Sequence, residues 1–128
     1  MDRKKASKAR QNAVKKAEAL QGLVKELVAQ KRELTPGKTT RLLVKCGKQN
    51  CRCTKGQKHE AFFLYVSRGG PLKRIWLTKK ERARVQARSE RYRSFRKIRS
   101  ELNKIFKELI AHIDALEAAL TVPYEKEA

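Results

Sequence analysis

Hydrophobic spacing changes twice along this chain. In residues 1–34 apolar or small residues fall at Ala13, Ala17, Leu20, Val24, Leu27 and Leu34, in steps of four and three with Lys31 in the remaining slot. That spacing predicts one helix with a single buried seam. Its first dozen residues, "MDRKKASKARQN", carry charge with little apolar content and are expected to be disordered in the free protein. "TPGK" at 35–38 then breaks the helix.

From 39 to 77 the period drops to two. "TTRLLVK" (39–45), "AFFLYVS" (61–67) and "LKRIWL" (72–77) are β-branched or aromatic runs, the last two joined by "RGGP". They predict a three-stranded antiparallel sheet. Alternation puts Phe62, Leu64 and Val66 on one face and Phe63 and Tyr65 on the other, with Ile75 and Leu77 opposed to Trp76 on the third strand. Both faces then need cover from helices or a partner, and Phe63, Tyr65 and Trp76 are expected to be mostly core.

From Thr78 to about Leu120 there is neither proline nor glycine. "TKKE" (78–81) has the form of a capping box, and a helix of about 60 Å should follow. Its seam is Val85, Tyr92, Phe95, Leu102, Phe106, Leu109, Ile113, Leu116 and Leu120, with Arg88 and Arg99 filling the gaps. The N-terminal helix is the natural antiparallel partner. Because it is shorter, part of the long helix must stand alone or meet a second copy, and residues 102–120 are the expected dimer seam. The fold class is thus α+β: a basic tail and helix (1–34), a small β domain with a Cys/His loop (35–77), and a long helix with its tail (78–128), the two helices pairing as a helical hairpin or coiled coil.

Charge adds a partner to this picture. Lys and Arg number 33 against 13 Asp and Glu, a net charge of +20. Such an excess repels itself in a compact state unless a polyanion neutralises it, and nucleic acid is the usual one. The charge is segregated: basic residues dominate between Lys79 and Lys107, whereas Glu108, Asp114, Glu117, Glu125 and Glu127 face only Lys126 beyond it. The first part is suited to phosphate and the last to protein. No apolar run approaches the ~18 residues of a membrane span, and the N-terminus lacks the apolar core of a secretory signal. A cytoplasmic protein is expected, nucleoid-associated if its target is DNA.

The loop between the first two strands, "KCGKQNCRCTKGQKHE" (45–60), holds Cys46, Cys51, Cys53 and His59 in a C-x4-C-x-C-x5-H spacing. Three thiolates and an imidazole suit one tetrahedral zinc, and Gly47 and Gly56 allow tight wrapping. A zinc-knuckle-like structural clip, one Zn per chain, is the leading expectation. Thiols without a ligand, or a reactive cysteine with its pKa lowered by neighbouring cations, are the alternatives. Catalysis is not expected. No Ser-His-Asp set, paired carboxylates, phosphate loop or dinucleotide fingerprint is present, and the only other histidine, His112 beside Ile113, reads as a helix-packing residue.

The stretch "VKCGKQNCRC…G…H…FFLYVS", followed by "WLTKKE" and a long helix, resembles a family of small uncharacterised prokaryotic proteins with a K-C-G-K-x-x-C-x-C…H pattern and a helical tail. The likeness covers residues 39–110. Glu60-Ala61 stand where that family tends to have Gly-Pro. The resemblance implies an association with transposases and other mobile elements, with Cys46, Cys51, Cys53 and His59 as the metal-like set.

These readings converge on a non-catalytic nucleic-acid-binding accessory protein of a transposase or other mobile-element nucleoprotein complex, with DNA slightly ahead of RNA because a long basic helix can lie in a DNA major groove and the family context points the same way. Arg82, Arg84, Arg88, Arg91, Arg93, Arg96, Lys97 and Arg99 are the candidate phosphate contacts on the helix, Arg84, Arg88 and Arg91 sharing a stripe. Lys45, Lys48, Arg52, Lys55 and Lys58 supply a second set on the loop, and Arg3, Lys4, Lys5, Lys8 and Arg10 a third. A structured RNA is the close alternative target. A helical assembly module docking through Leu102, Phe106, Leu109, Ile113, Leu116 and Leu120 is the alternative of another class.

Overall fold

The computed structural model describes residues 1–45, 50, 56 and 58–125. In chain order the elements are α1 (Arg3–Val28), β1 (Lys38–Val44), β2 (His59–Val66), β3 (Lys73–Leu77) and α2 (Arg82–Leu120). They fall into two compact bodies, residues 32–95 and residues 1–31 with 96–128. The chain is therefore α+β as expected.

In the β body the sheet order is β1-β2-β3, antiparallel throughout. Phe62 pairs with Leu77, Leu64 with Ile75 and Phe63 with Trp76, so the two faces are those that alternation predicts. The Phe62 face is covered by the first turns of α2: Leu64, Leu77 and Val85 form the buried cluster, with Phe62 and Val66 packed against it. β2 starts at His59, two residues earlier than the apolar run suggests. Val44 pairs with His59 and Leu43 with Glu60, and Glu60 also accepts from Arg41 at 3.0 Å, so polar residues continue the ladder.

Residues 32–37 are not helical, and α1 ends at Val28, six residues short of the predicted boundary. Pro36 biases Thr35 away from helix, and the segment finds its partners on α2 instead. Thr35 N donates to Arg88 O at 3.2 Å, Arg91 Nε donates to Glu33 O at 3.2 Å, and the Glu33 carboxylate pairs with the Arg88 guanidinium. Ser89, fully buried, donates its hydroxyl to Gly37 O at 2.6 Å. Gly37 has φ 120, and a Cβ there would lie 2.6 Å from Tyr65 O and 2.9 Å from Leu64 Cδ1, so only glycine lets this strap reach the sheet.

The start of α2 is also displaced. Thr78 Oγ1 donates to Glu81 Oε1 at 2.7 Å, while Glu81 N and Arg82 N both donate to Thr78 O. The hydroxyl that a capping box would use as acceptor is spent on the carboxylate. A turn over 79–81 results, and the helix begins at Arg82.

In the helical body Asp2 caps α1 by accepting from Lys5 N at 3.0 Å, and helix runs from Arg3 through the dozen residues expected to be disordered. The buried Ala6 and Ala9 explain why: small side chains allow close approach, and Asp2 N donates to Ala119 O at 2.9 Å. With Lys16 bonded to Glu108 at 2.6 Å, this contact makes α1 and the last part of α2 antiparallel. The less exposed positions are Ala6, Ala9, Asn12, Ala13, Lys16, Leu20, Leu23 and Leu27 on α1, and Ile98, Leu102, Ile105, Glu108, Leu109, His112, Leu116 and Ala119 on α2.

Both seams correct the predicted ones in phase. Lys16 and Leu23 replace Ala17 and Val24, and Ile105, His112 and Ala119 replace Phe106, Ile113 and Leu120. Apolar neighbours at 105/106 and 119/120, with His112 beside Ile113 between them, make either order of threes and fours legal. The small Ala119 and the Lys16–Glu108 bond favour the observed one.

Candidate nucleic-acid interface

The basic residues of α2 separate into two kinds. Arg82, Arg88 and Arg91 are half-buried and internally engaged. Arg82 stacks on the Phe62 ring at 4.3 Å with its Nε buried and without a hydrogen-bond partner, while Arg88 and Arg91 hold the strap at Glu33. The expected phosphate stripe Arg84–Arg88–Arg91 is therefore broken, because two of its members are fastened to the 32–37 segment. Arg84 and Arg93 are exposed in the β body, and Arg96, Lys97 and Arg99 are exposed in the helical body. Among the described residues none of these five forms an ion pair.

The second cluster is on the sheet. Register sets Lys38, Tyr65 and Arg74 in one cross-strand row, and Thr40, Phe63 and Trp76 in the next. α2 takes the opposite face, so within this body no described helix covers these rows. Phe63 is buried beneath the Arg74 guanidinium, which lies 4.6 Å from the ring centroid, and Tyr65 is half-buried. Trp76 is 69 % exposed, contrary to its expected place in the core. β3 is an edge strand, so its indole has neighbours on one side only. An exposed ring next to a cation-capped ring, flanked by Lys38 and Arg74, offers a flat surface for a base and charges for the phosphates on either side.

Neither Lys38 nor Arg74 stood out in the sequence, where both are lost among many cations. The signal was present nonetheless, since Arg74 and Trp76 alternate with Ile75 and Leu77 and so must share the opposite face.

The cysteine loop is closed at its base by the Val44–His59 pair. Lys45 and Lys58, both exposed, stand at its two feet, and Gly56 adopts φ 111. His59 is thus a strand residue at the foot of the loop. Cys46, Cys51, Cys53, Lys48, Arg52 and Lys55 lie outside the described residues. Among the described residues no three His, Cys, Asp or Glu side chains converge as a metal site.

No family model, curated protein or solved structure matches the chain. No described helix is long and apolar enough to cross a membrane.

Proposed function

We propose that this is a non-catalytic nucleic-acid-binding protein, an accessory to a larger nucleoprotein machine, which takes unpaired bases on the Trp76 face of its sheet. The observation that supports this reading is the exposure of Trp76 in rows of aromatic residues bordered by Lys38 and Arg74. Every base has a π-face, so stacking on such a surface is tolerant of sequence, and each stacked base contributes about 1–3 kcal/mol. The exposed arginines, Arg84, Arg93, Arg96 and Arg99 with Lys97, add sequence-independent phosphate contacts. The exposed indole shifts the preference from duplex DNA read by a helix towards strands with unpaired bases. Structured RNA and melted DNA at the end of a mobile element both supply these, and the family resemblance favours the second setting.

In this reading Cys46, Cys51, Cys53 and His59 hold one zinc. Three thiolates with an imidazole are a good donor set for that ion, and the paired Val44 and His59 already bring the loop ends together. Bound zinc would supply folding energy to the loop and no chemistry. Metal analysis of purified protein should return about one zinc per chain; zinc-free protein with an intact sheet would remove the clip.

Trp76 is the only tryptophan, so its fluorescence reports the binding surface directly. Titration with single-stranded oligonucleotides should quench it, and Trp76→Ala should weaken single-strand binding about 5–100-fold, with a smaller effect on duplex. Equal affinity of wild type and variant for single strands, without quenching, overturns the reading.

A further inference from the structure

The helical body carries apolar residues that its own seam does not use. On α1 these are Val14, Ala17, Val24 and Val28, with Val14 57 % exposed. On α2 they are Phe106, Ile110, Ile113 and Leu120, with Phe106 47 % exposed. At 3.6 residues per turn each stripe lies clockwise of its own seam when viewed from that helix's N-terminus. Equal rotations about antiparallel axes point to the same side, so the two stripes merge into one broad apolar face. Lys5, Lys8, Asn12 and Ala115, which line a shallow groove between the helices, belong to the other side.

We propose that this face is covered by the same face of a second copy of the chain, forming a four-helix bundle in which α1 of each copy lies over α2 of the other. Charge selects this arrangement. α1 carries eight lysines and arginines against Glu18 and Glu26, whereas residues 108–120 carry Glu108, Asp114 and Glu117 without a lysine or arginine. Laying α1 on the partner's α1 sets basic against basic. Laying α1 over the partner's α2, antiparallel, brings Arg3 and Arg10 to the partner's Asp114 and Glu117.

A two-fold axis parallel to the helices produces that arrangement, and it leaves positions along the helix direction unchanged. Each α1 therefore meets the partner's α2 in the register it keeps with its own, which the Asp2–Ala119 and Lys16–Glu108 bonds define. In that register Val14 faces the partner's Ile110, and the small Ala17 faces the bulky ring of the partner's Phe106. The face is self-complementary in shape as well as charge. This inference does not rest on the base-stacking surface, since none of its residues belongs to the sheet; it assigns Arg3 and Arg10, candidate phosphate contacts in the sequence, to the partner's carboxylates.

The test is sedimentation of the full chain in about 0.3 M salt, where repulsion between two strongly basic copies is screened. Wild type should be dimeric at micromolar concentration. Ala17→Glu and Phe106→Lys should each weaken the dimer at least about tenfold while leaving far-UV helicity unchanged, because both positions are exposed in the single chain. Mixing the two variants should restore a dimer, since Glu at 17 then meets Lys at 106 across the axis. Wild type that stays monomeric at about 100 µM overturns the proposal and leaves the face to a different protein. A dimer that the substitutions do not weaken, or that mixing does not restore, overturns the α1-over-α2 pairing.

Discussion

The two bodies are held together by different kinds of contact. In the helical body the seam is a repeated pattern, and each of its layers does roughly what the next one does: Ala, Leu or Ile against Leu, Ile or Ala, with His112 in one layer and an ion pair at Lys16–Glu108. In the β body a small cluster around Leu64, Leu77 and Val85 is joined by a strap held through a few unrepeated attachments, two at Glu33 and one each at Thr35 and Gly37. Repetition spreads stability over many interchangeable residues; a strap concentrates it in a few. Single substitutions should therefore harm the β body more, although it is the helical body that has the longer elements.

The largest effect should come from Gly37→Ala. A Cβ at φ 120 would meet the Tyr65 carbonyl at 2.6 Å, a backbone atom that cannot swing aside. A cost of about 2–4 kcal/mol is expected. Urea unfolding followed by Trp76 fluorescence, which senses the β body, should shift to lower denaturant, with the far-UV helix signal following less. Ser89→Ala is the milder form of the same break. It removes the 2.6 Å bond to Gly37 O inside a fully buried site and should cost about 1–3 kcal/mol. If both variants unfold with the wild type, the strap is not what holds this body.

An intermediate effect separates stability from binding within one helix. Arg88→Met removes the partner of Glu33 and should lower the stability of the β body by about 1 kcal/mol, given an Arg88 side chain that is largely but not wholly covered. Nucleic-acid affinity should change little. Arg93→Glu should do the reverse, leaving the unfolding curve in place, weakening binding severalfold and reducing the salt slope by roughly one. Equal losses of affinity in the two variants would restore Arg88 to the phosphate-contacting set.

What could be read from the amino-acid order follows the same division. The strands, their faces and the C-terminal end of α2 at Leu120 are legible because period-two alternation and a proline- and glycine-free run leave few alternatives. Seam phase is less so: where two apolar residues are adjacent, as at Ile105-Phe106, only the partner decides which one turns inward. The strap was illegible. Glu33 and Leu34 continue a helical pattern, and nothing local reveals that Ser89, 52 positions away, will bond Gly37. Arginine roles suffered likewise, since a guanidinium aimed at a carboxylate and one aimed at solvent are the same letter. The place of Trp76 depends on strand order, which alternation does not reveal: at an edge strand a large ring has only one neighbour to cover it.

The smallest effect should be a pH dependence confined to the helical body. The hydrogen bond from Lys16 holds the Glu108 carboxyl below its ordinary pKa; desolvation opposes this, and the charges of Lys16, Lys104 and His112 add to it. A folded-state pKa below the unfolded one means that the stabilisation is complete above the unfolded value and is lost as pH falls through the folded value. Glu108→Gln should therefore lower the melting temperature slightly at neutral pH, and the difference from wild type should fade in acid once both side chains are uncharged. Because the pair is exposed to solvent, salt should shrink the difference too. A gap between wild type and variant that persists unchanged into acid would mean that Glu108 contributes through packing and not through its charge, and the Lys16 contact would then have no part in choosing the phase of the seam.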